Sequence, residues 1–294
     1  EAADRAGCPN PLTLGPLTLG GAPAVERVHA FGMSQAGRFL RDFLHQGFNE
    51  DLSGRKVFDG VLACMAGSRK AFVNYPFAQP GRFSRQHEDR LFPHDQFPFT
   101  YAVTTDPVSG RTDGVLKRCL ASGTSPSIMQ VESSSDFFHG RASLLVVDGS
   151  GAEVPVPDCV RLYHFASVQH GGGRATANYA RSFPFTRYPL NPADCPGVYR
   201  ALLRALDRWA SDGTLPPPSR FPRAGDGTLV PAAPESYGFP TVPGVTYPGL
   251  VNELSELDYT VQPPQPVPGR DYIVLVPAID TDGNEIAGIR VPDI

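Results

Sequence analysis

The sequence lacks any long basic run, and its formal net charge is −4. Neutralising a phosphate backbone takes clustered Lys and Arg, so a nucleic-acid partner is excluded. No apolar stretch approaches the roughly 20 residues that a membrane-spanning helix needs. Cysteine is scarce, with five residues at positions 8, 64, 119, 159 and 195. None forms a Cys-x-x-Cys pair, which argues against a zinc ribbon or thioredoxin-type site. The odd count and wide spacing leave pairing undetermined. One or two disulfides are expected only if the chain is secreted or periplasmic, and the compartment stays open. No methionine or signal-peptide pattern opens the chain at Glu1, so residue 1 is read as other than the natural start. Internal repetition is limited to Leu12–Gly20, too brief to be architectural. Charged residues are 19% and hydrophobic residues 41%, a balance that excludes wholesale disorder. The 294 residues suffice for one large domain or two small ones. What the chain does have in quantity is proline and glycine, 31 and 30 residues, which predicts many loops.

Along the chain, residues 1–24 read as loop. The apolar run Val25–Phe31 predicts a buried strand ending at Gly32. From Gln35 to about Phe48 the period becomes helical, with Phe39, Leu40, Phe43 and Leu44 in phase and Gly47 as a stop. Val57–Met65 reads as a second strand, giving the strand–helix–strand order of a parallel sheet. Residues 68–126 have no clear period. Their aromatics (Phe72, Tyr75, Phe77, Phe83, Phe92, Phe97, Phe99 and Tyr101) alternate with prolines, so the segment is expected to be an irregular insertion. It either caps the domain and walls a pocket or serves as ordinary core. Further strands are expected at Ser127–Val131, Ala142–Val147 and Val160–Phe165. A helix is expected at Val198–Ala210, closed by Asp212-Gly213 and Pro216-Pro217-Pro218. Residues 214–294 are Pro-rich, with one clear strand, Tyr272–Val276. Asp280-Thr281-Asp282-Gly283 reads as a turn; it resembles the start of a calcium loop but lacks the distal glutamate.

Between the first strand and helix stands Gly32-Met33-Ser34-Gln35-Ala36-Gly37. Small residues flank the serine where a strand turns sharply into a helix, a bend that tolerates no bulk and exposes a strained hydroxyl. At a helix N-terminus the free N–H groups favour developing negative charge, and the N–H of Gln35 is the expected oxyanion donor. The competing reading is that Ser34 merely caps the helix.

A serine elbow of this kind is followed in sequence by its acid and then its histidine. Glu132-Ser133-Ser134-Ser135-Asp136 follows the strand at 127–131 and offers two carboxylates; Asp136 is preferred and Glu132 is the alternative. His170, in a Gly-rich segment after the last strand, has the right order for the base. His164 lies inside a strand and reads as packed, His139 as loop decoration, His29 as structural, and His45, His87 and His94 fall outside the order. A metal reading from His164 and His170 lacks a supporting carboxylate spacing. No cofactor is called for.

The segments Ala30–Arg41, Gln46–Asp51, Arg55–Gly60, Phe97–Tyr101 and Gly110–Gly114, with Val160–His164 leading to His170, resemble a family of large bacterial α/β-hydrolase-domain proteins across nearly the whole chain. The resemblance implies a serine esterase with an acyl-enzyme, acting on small-molecule esters. It places a carboxylate within Ser134-Ser135-Asp136-Phe137-Phe138, where the family usually has glutamate, which favours Asp136. It also implies several strands before the elbow and more chain after Ile294, so a fragment is expected: a partial α/β-hydrolase fold, a mostly parallel sheet with helices on both faces. The expected division is a catalytic region at 1–213, with 68–126 as its insertion, and a Pro-rich extension at 214–294 packed on it. Such a sheet is expected to have an unpaired edge, completed by a second chain or by self-association. The other functional readings are acyl transfer or amide cleavage by the same residues, and a non-catalytic binding or scaffolding module.

Overall fold

The computed structural model describes residues 27–71, 96–173, 188–261 and 264–290. The expected loop 1–24, Cys8, the aromatics Phe72, Tyr75, Phe77, Phe83 and Phe92, and His87 and His94 lie outside them. In chain order, β1 (His29–Met33), α1 (Gln35–His45) and β2 (Gly60–Cys64) come first. The short β3 (Thr104–Thr105), β4 (Thr112–Asp113) and α2 (Lys117–Ala121) precede β5 (Ser127–Ser133), α3 (Ser134–Phe138), a 3-10 turn (Ala142–Leu145) and β6 (Val160–Phe165). Then follow α4 (Pro196–Asp212), β7 (Leu229–Pro231), α5 (Pro234–Tyr237), β8 (Ser255–Asp258), β9 (Gln265–Asp271) and β10 (Leu275–Pro277).

The central sheet has the order β1-β2-β5-β6, and every pairing is parallel. A parallel sheet must be covered on both faces, and alternating side chains here feed two separate cores. Val61, Ile128, Val160 and Leu162 pack with Leu40 and Leu44 of α1. Leu62, Met129, Val131, Tyr163 and Phe165 pack with Leu202, Ala205, Leu206 and Trp209 of α4. The helix α4 begins with Pro196 in its first turn and ends at Gly213, whose left-handed backbone (φ 78°) returns its N–H to Trp209. From 68–126, Phe97, Phe99 and Tyr101 join the core on the α1 side.

One side chain ties that core together. Arg41, fully buried, donates to Gln130 Oε1 (2.8 Å), to the carbonyls of Ser68 and Arg69 (both 3.0 Å), and to that of Phe99. Its guanidinium also lies over the Tyr101 ring. This satisfies the buried cation through hydrogen bonds and fixes α1 to the loop after β2.

Two expectations need correction. Ala142–Val147 is not a strand; Ala142–Leu145 form a 3-10 turn after Arg141 adopts a left-handed conformation (φ 56°). The whole run is buried, and a short apolar run reads alike as buried strand or buried turn. Among its described residues, the region 214–294 holds four short strands rather than one, in the antiparallel pairs β7–β10 and β8–β9. Of the expected strand at 272–276, only Leu275 and Val276 are in a strand, β10; residues 272–274 form the irregular link that follows β9. The prolines of β9 sit in an exposed two-stranded ribbon, where a missing N–H costs little. Cys64, Cys119, Cys159 and Cys195 are free thiols, and Cys8 lies outside the described residues.

The two sheet edges differ. Beside β6, Arg220 and Ile289 form parallel bridges to Tyr163 and Phe165, so pieces of the C-terminal region cover that edge. Among the described residues β1 pairs only with β2, and Phe31 stands 53% exposed there. No helix among the described residues is long and apolar enough to cross a membrane.

Candidate active site

All four parallel strands end on the same side, and the residues of interest follow those ends. Met33, Cys64 and Val131 are in register, and Ser133 is in register with Phe165. Ser34 comes one residue after β1 with φ 56° and ψ −115°, a backbone state costing a non-glycine residue about 1–3 kcal/mol. Its N–H donates to the Cys64 carbonyl (2.8 Å), and its own carbonyl receives the Arg38 N–H (3.0 Å). The flanking small residues are required by close approach. A Cβ on Gly32 would lie 2.6 Å from the Ala36 carbonyl, and one on Gly37 would lie 2.7 Å from that of Cys64. Gly37 thus serves helix-on-strand contact, which accounts for its position one residue beyond the simplest Gly-x-Ser-x-Gly spacing. Gln35 is the first residue of α1, where an N–H has no partner one turn back.

His170 Nε2 is 2.8 Å from Ser34 Oγ, and His170 Nδ1 is 2.7 Å from Asp136 Oδ1. The other oxygen of Asp136 accepts the Ser133 N–H (2.8 Å) and hydroxyl (2.6 Å), so the acid is held by the first turn of α3. Burial opposes ionisation of Asp136, but the His170 hydrogen bond and charge, then His139 and Ser133, outweigh it and bring its pKa to about 2. An ionised Asp136 accepts from Nδ1–H, which leaves a lone pair on Nε2 facing the serine hydroxyl.

Glu132 does not reach this line. Its two oxygens accept the Gly67 N–H (2.9 Å) and the Gln130 side-chain amide, on the sheet face toward Arg41. Burial, then the nearby charge of Asp136, raise its pKa to about 8, against the pull of Gln130, Gly67 and Arg41. The two carboxyls are pushed in opposite directions, so at neutral pH Asp136 carries the charge and Glu132 the proton. A group with a folded-state pKa above its unfolded value stabilises most below the unfolded pKa and loses that contribution as pH rises through the folded one. We therefore expect the Glu132 contribution to fall as pH goes from 4.5 to about 8. Urea denaturation across that range checks it: Glu132→Gln flattens the slope relative to the unsubstituted protein.

The other histidines separate by partner. His164 Nε2 is bound to Glu285 (2.8 Å), His29 to Asp207 (2.9 Å) and His45 to Asp113 (3.2 Å). His139 packs edge-on against His170, with ring centroids 5.2 Å apart. Its Nδ1 donates to the Ser135 carbonyl, and burial, despite Asp136, depresses its pKa to about 4. Its Nε2 therefore holds a lone pair, 3.7 Å from Asp136 Oδ1, and does not compete for that acid. Asp136, His139 and His170 together could present three donors to a metal ion. An ion there would displace the proton shared by Asp136 and His170. The pairing of His164 with His170 as metal ligands is not seen, since His164 faces Glu285.

Beside the histidine segment lies a cleft of about 280 Å³, walled in part by Ser135, Phe138, Val168, Gln169 and Tyr237. A larger hollow of about 380 Å³ touches Val160 and Arg161, at the opposite end of β6 from the serine. Chemistry, not size, therefore points to the first. Glu285 also lines that cleft, although no motif around it distinguishes it in sequence. Asp280 Oδ1 accepts the N–H groups of Asp282 (3.0 Å) and Asn284 (2.9 Å), so the calcium-like segment is a self-capped turn.

A family model described as "Alpha/beta hydrolase domain" matches residues 6–294. No curated protein and no solved structure matches the sequence.

Proposed function

On the premise that this chain belongs to the alpha/beta hydrolase domain family, we propose that it is a serine hydrolase cleaving carboxylic esters through Ser34, His170 and Asp136. The observation that carries the reading is the unbroken hydrogen-bonded line Ser34 Oγ–His170 Nε2, His170 Nδ1–Asp136 Oδ1. Along it, His170 takes the hydroxyl proton as Ser34 Oγ attacks the acyl carbon. Asp136, ionised and buried, holds the imidazole in the required tautomer and stabilises the imidazolium. The Gln35 N–H receives the oxyanion at the positive end of α1. His170 then returns the proton to the departing alkoxide, leaving an acyl group on Ser34. Water, deprotonated by the same imidazole, releases the acid and restores the hydroxyl. The strained elbow supports this over simple helix capping, because the Ser34 hydroxyl makes no capping bond.

A fluorophosphonate probe with p-nitrophenyl acetate tests the reading. Covalent labelling at Ser34, absent from Ser34→Ala, together with ester turnover, is the expected result. A folded protein that neither labels nor turns over would leave the non-catalytic module as the better account. Turnover of p-nitroanilides in preference to esters would redirect the reading to amides.

A further inference from the structure

We propose that Glu285, from the C-terminal region, is a positioning residue that ties the segment bearing Asp136 to the segment bearing His170. This inference rests on the serine-hydrolase reading above. Glu285 is only 3% exposed. Its Oε2 accepts the Ser134 hydroxyl (2.7 Å), the Ser167 N–H and His164 Nε2–H (2.8 Å). Ser134 stands two residues before Asp136, and Ser167 three before His170. The clasp is double, because the Glu285 N–H also donates to Ser167 Oγ (3.0 Å). Ser167 has φ 59°, a left-handed state that a non-glycine residue keeps only when its surroundings impose it.

Glu285 is itself held on both sides. Before it runs the turn capped by Asp280; after it Ile286 N–H donates to Ala278 (3.1 Å), and Ile289 pairs with the β6 edge. The two segments have one direct backbone link here, Ser134 N–H to the Val168 carbonyl (2.9 Å). A buried carboxylate is a costly way to fill space. Three donors converge on one of its oxygens, from β6 and from both segments, and only a side chain that presents an acceptor oxygen at that point can satisfy them. The relay distances therefore depend on a residue over a hundred positions away in sequence.

The test compares the unsubstituted protein with Glu285→Ala, Glu285→Gln and Ser134→Ala, after thermal melting confirms that each is folded. Ser34 labelling by fluorophosphonate, kcat and KM for p-nitrophenyl acetate, and amide hydrogen exchange are measured. Misplacement of a relay group by about 1 Å costs on the order of 10²-fold in rate. Glu285→Ala should thus lower kcat and the labelling rate by about that factor, with KM moving less than about threefold. It should also speed exchange in residues 134–139 and 167–172. Glu285→Gln, whose amide oxygen can accept the same donors, should stay within about tenfold of the original rate. Ser134→Ala, which removes one donor, should fall between, and it decides the matter if Glu285→Ala does not fold. A labelled original protein with kcat unchanged in the folded variants overturns the positioning role alone. So does a rise in KM at constant kcat, which would make Glu285 a substrate contact. An original protein that does not label overturns the hydrolase reading, and this role with it.

Discussion

Replacing Ser34 or His170 by alanine is expected to lower turnover of a p-nitrophenyl ester by roughly four to six orders of magnitude. The two side chains are 2.8 Å apart, and in the proposed mechanism they act on one proton, so removing either disables the same step. The double variant should be no worse than either single one. Asp136→Asn is expected to cost about 10⁴-fold, because an amide facing Nδ1 favours the tautomer that turns an N–H rather than a lone pair toward Ser34. Glu132→Ala serves as a contrast, since its carboxyl is bound by Gly67 and Gln130 and not by His170. Its effect should appear first in stability. Stopped-flow kinetics read all five variants, and labelling of Ser34 reads the three that keep the serine. A mild effect from His170→Ala would assign the base elsewhere, and the imidazole of His139, edge-on to His170, would be the next to test.

The second large effect is expected at Gly37. A Cβ there would meet Cys64 O at 2.7 Å, Gly32 O at 3.1 Å and Cys64 N at 3.3 Å, all backbone atoms of the neighbouring strands. None can rotate away as a side chain would, so α1 must lift from the sheet. The Cys64 carbonyl also receives the Ser34 N–H that holds the elbow, so any lift reaches Ser34 directly. Gly37→Ala is expected to cost about 1–3 kcal/mol, with Gly37→Val worse, and both should lower kcat more than they raise KM. Gly197 is the control. It lies in α4, where an added Cβ meets only the flexible Arg200 side chain at 4.0 Å. Gly197→Ala should be neutral or stabilising by up to about 1 kcal/mol, since alanine has less freedom to lose on folding. Urea denaturation of both compares them. Equal stability in the two variants would mean that the helix can shift without cost, and the close-packing argument at the elbow would be lost.

The order strand, elbow, helix, strand is a local property, and it was legible as one. The apolar run before Gly32, the helical phase of Phe39, Leu40, Phe43 and Leu44, and the small residues around Ser34 each reflect contacts within a few positions. The extent of β6 and the Gly213 stop of α4 were equally readable, because a strand's apolar run and a left-handed cap are written into neighbouring residues. The buried run Ala142–Val147 reads as strand but holds the 3-10 turn Ala142–Leu145, since burial on all sides erases the period that separates strand from turn. The short ribbons after residue 214 were hidden by proline, which marks where a strand should fail but not where an exposed pair tolerates it.

By itself the sequence determined a serine set between glycines, two carboxylates a few residues apart, and histidines in an order that a parallel sheet could use. Only the tertiary structure decided which of these groups meet. It turned Asp136 toward His170, whose hydrogen bond and charge overcome burial and hold that acid low, and Glu132 toward Arg41 and Gln130, where burial and the charge of Asp136 push it up. It also brought Glu285 against Ser134 and Ser167. The physical reason is range: helix and turn preferences are set by residues within one or two turns, whereas desolvation and convergent hydrogen bonds depend on atoms that the chain brings together from more than a hundred positions apart.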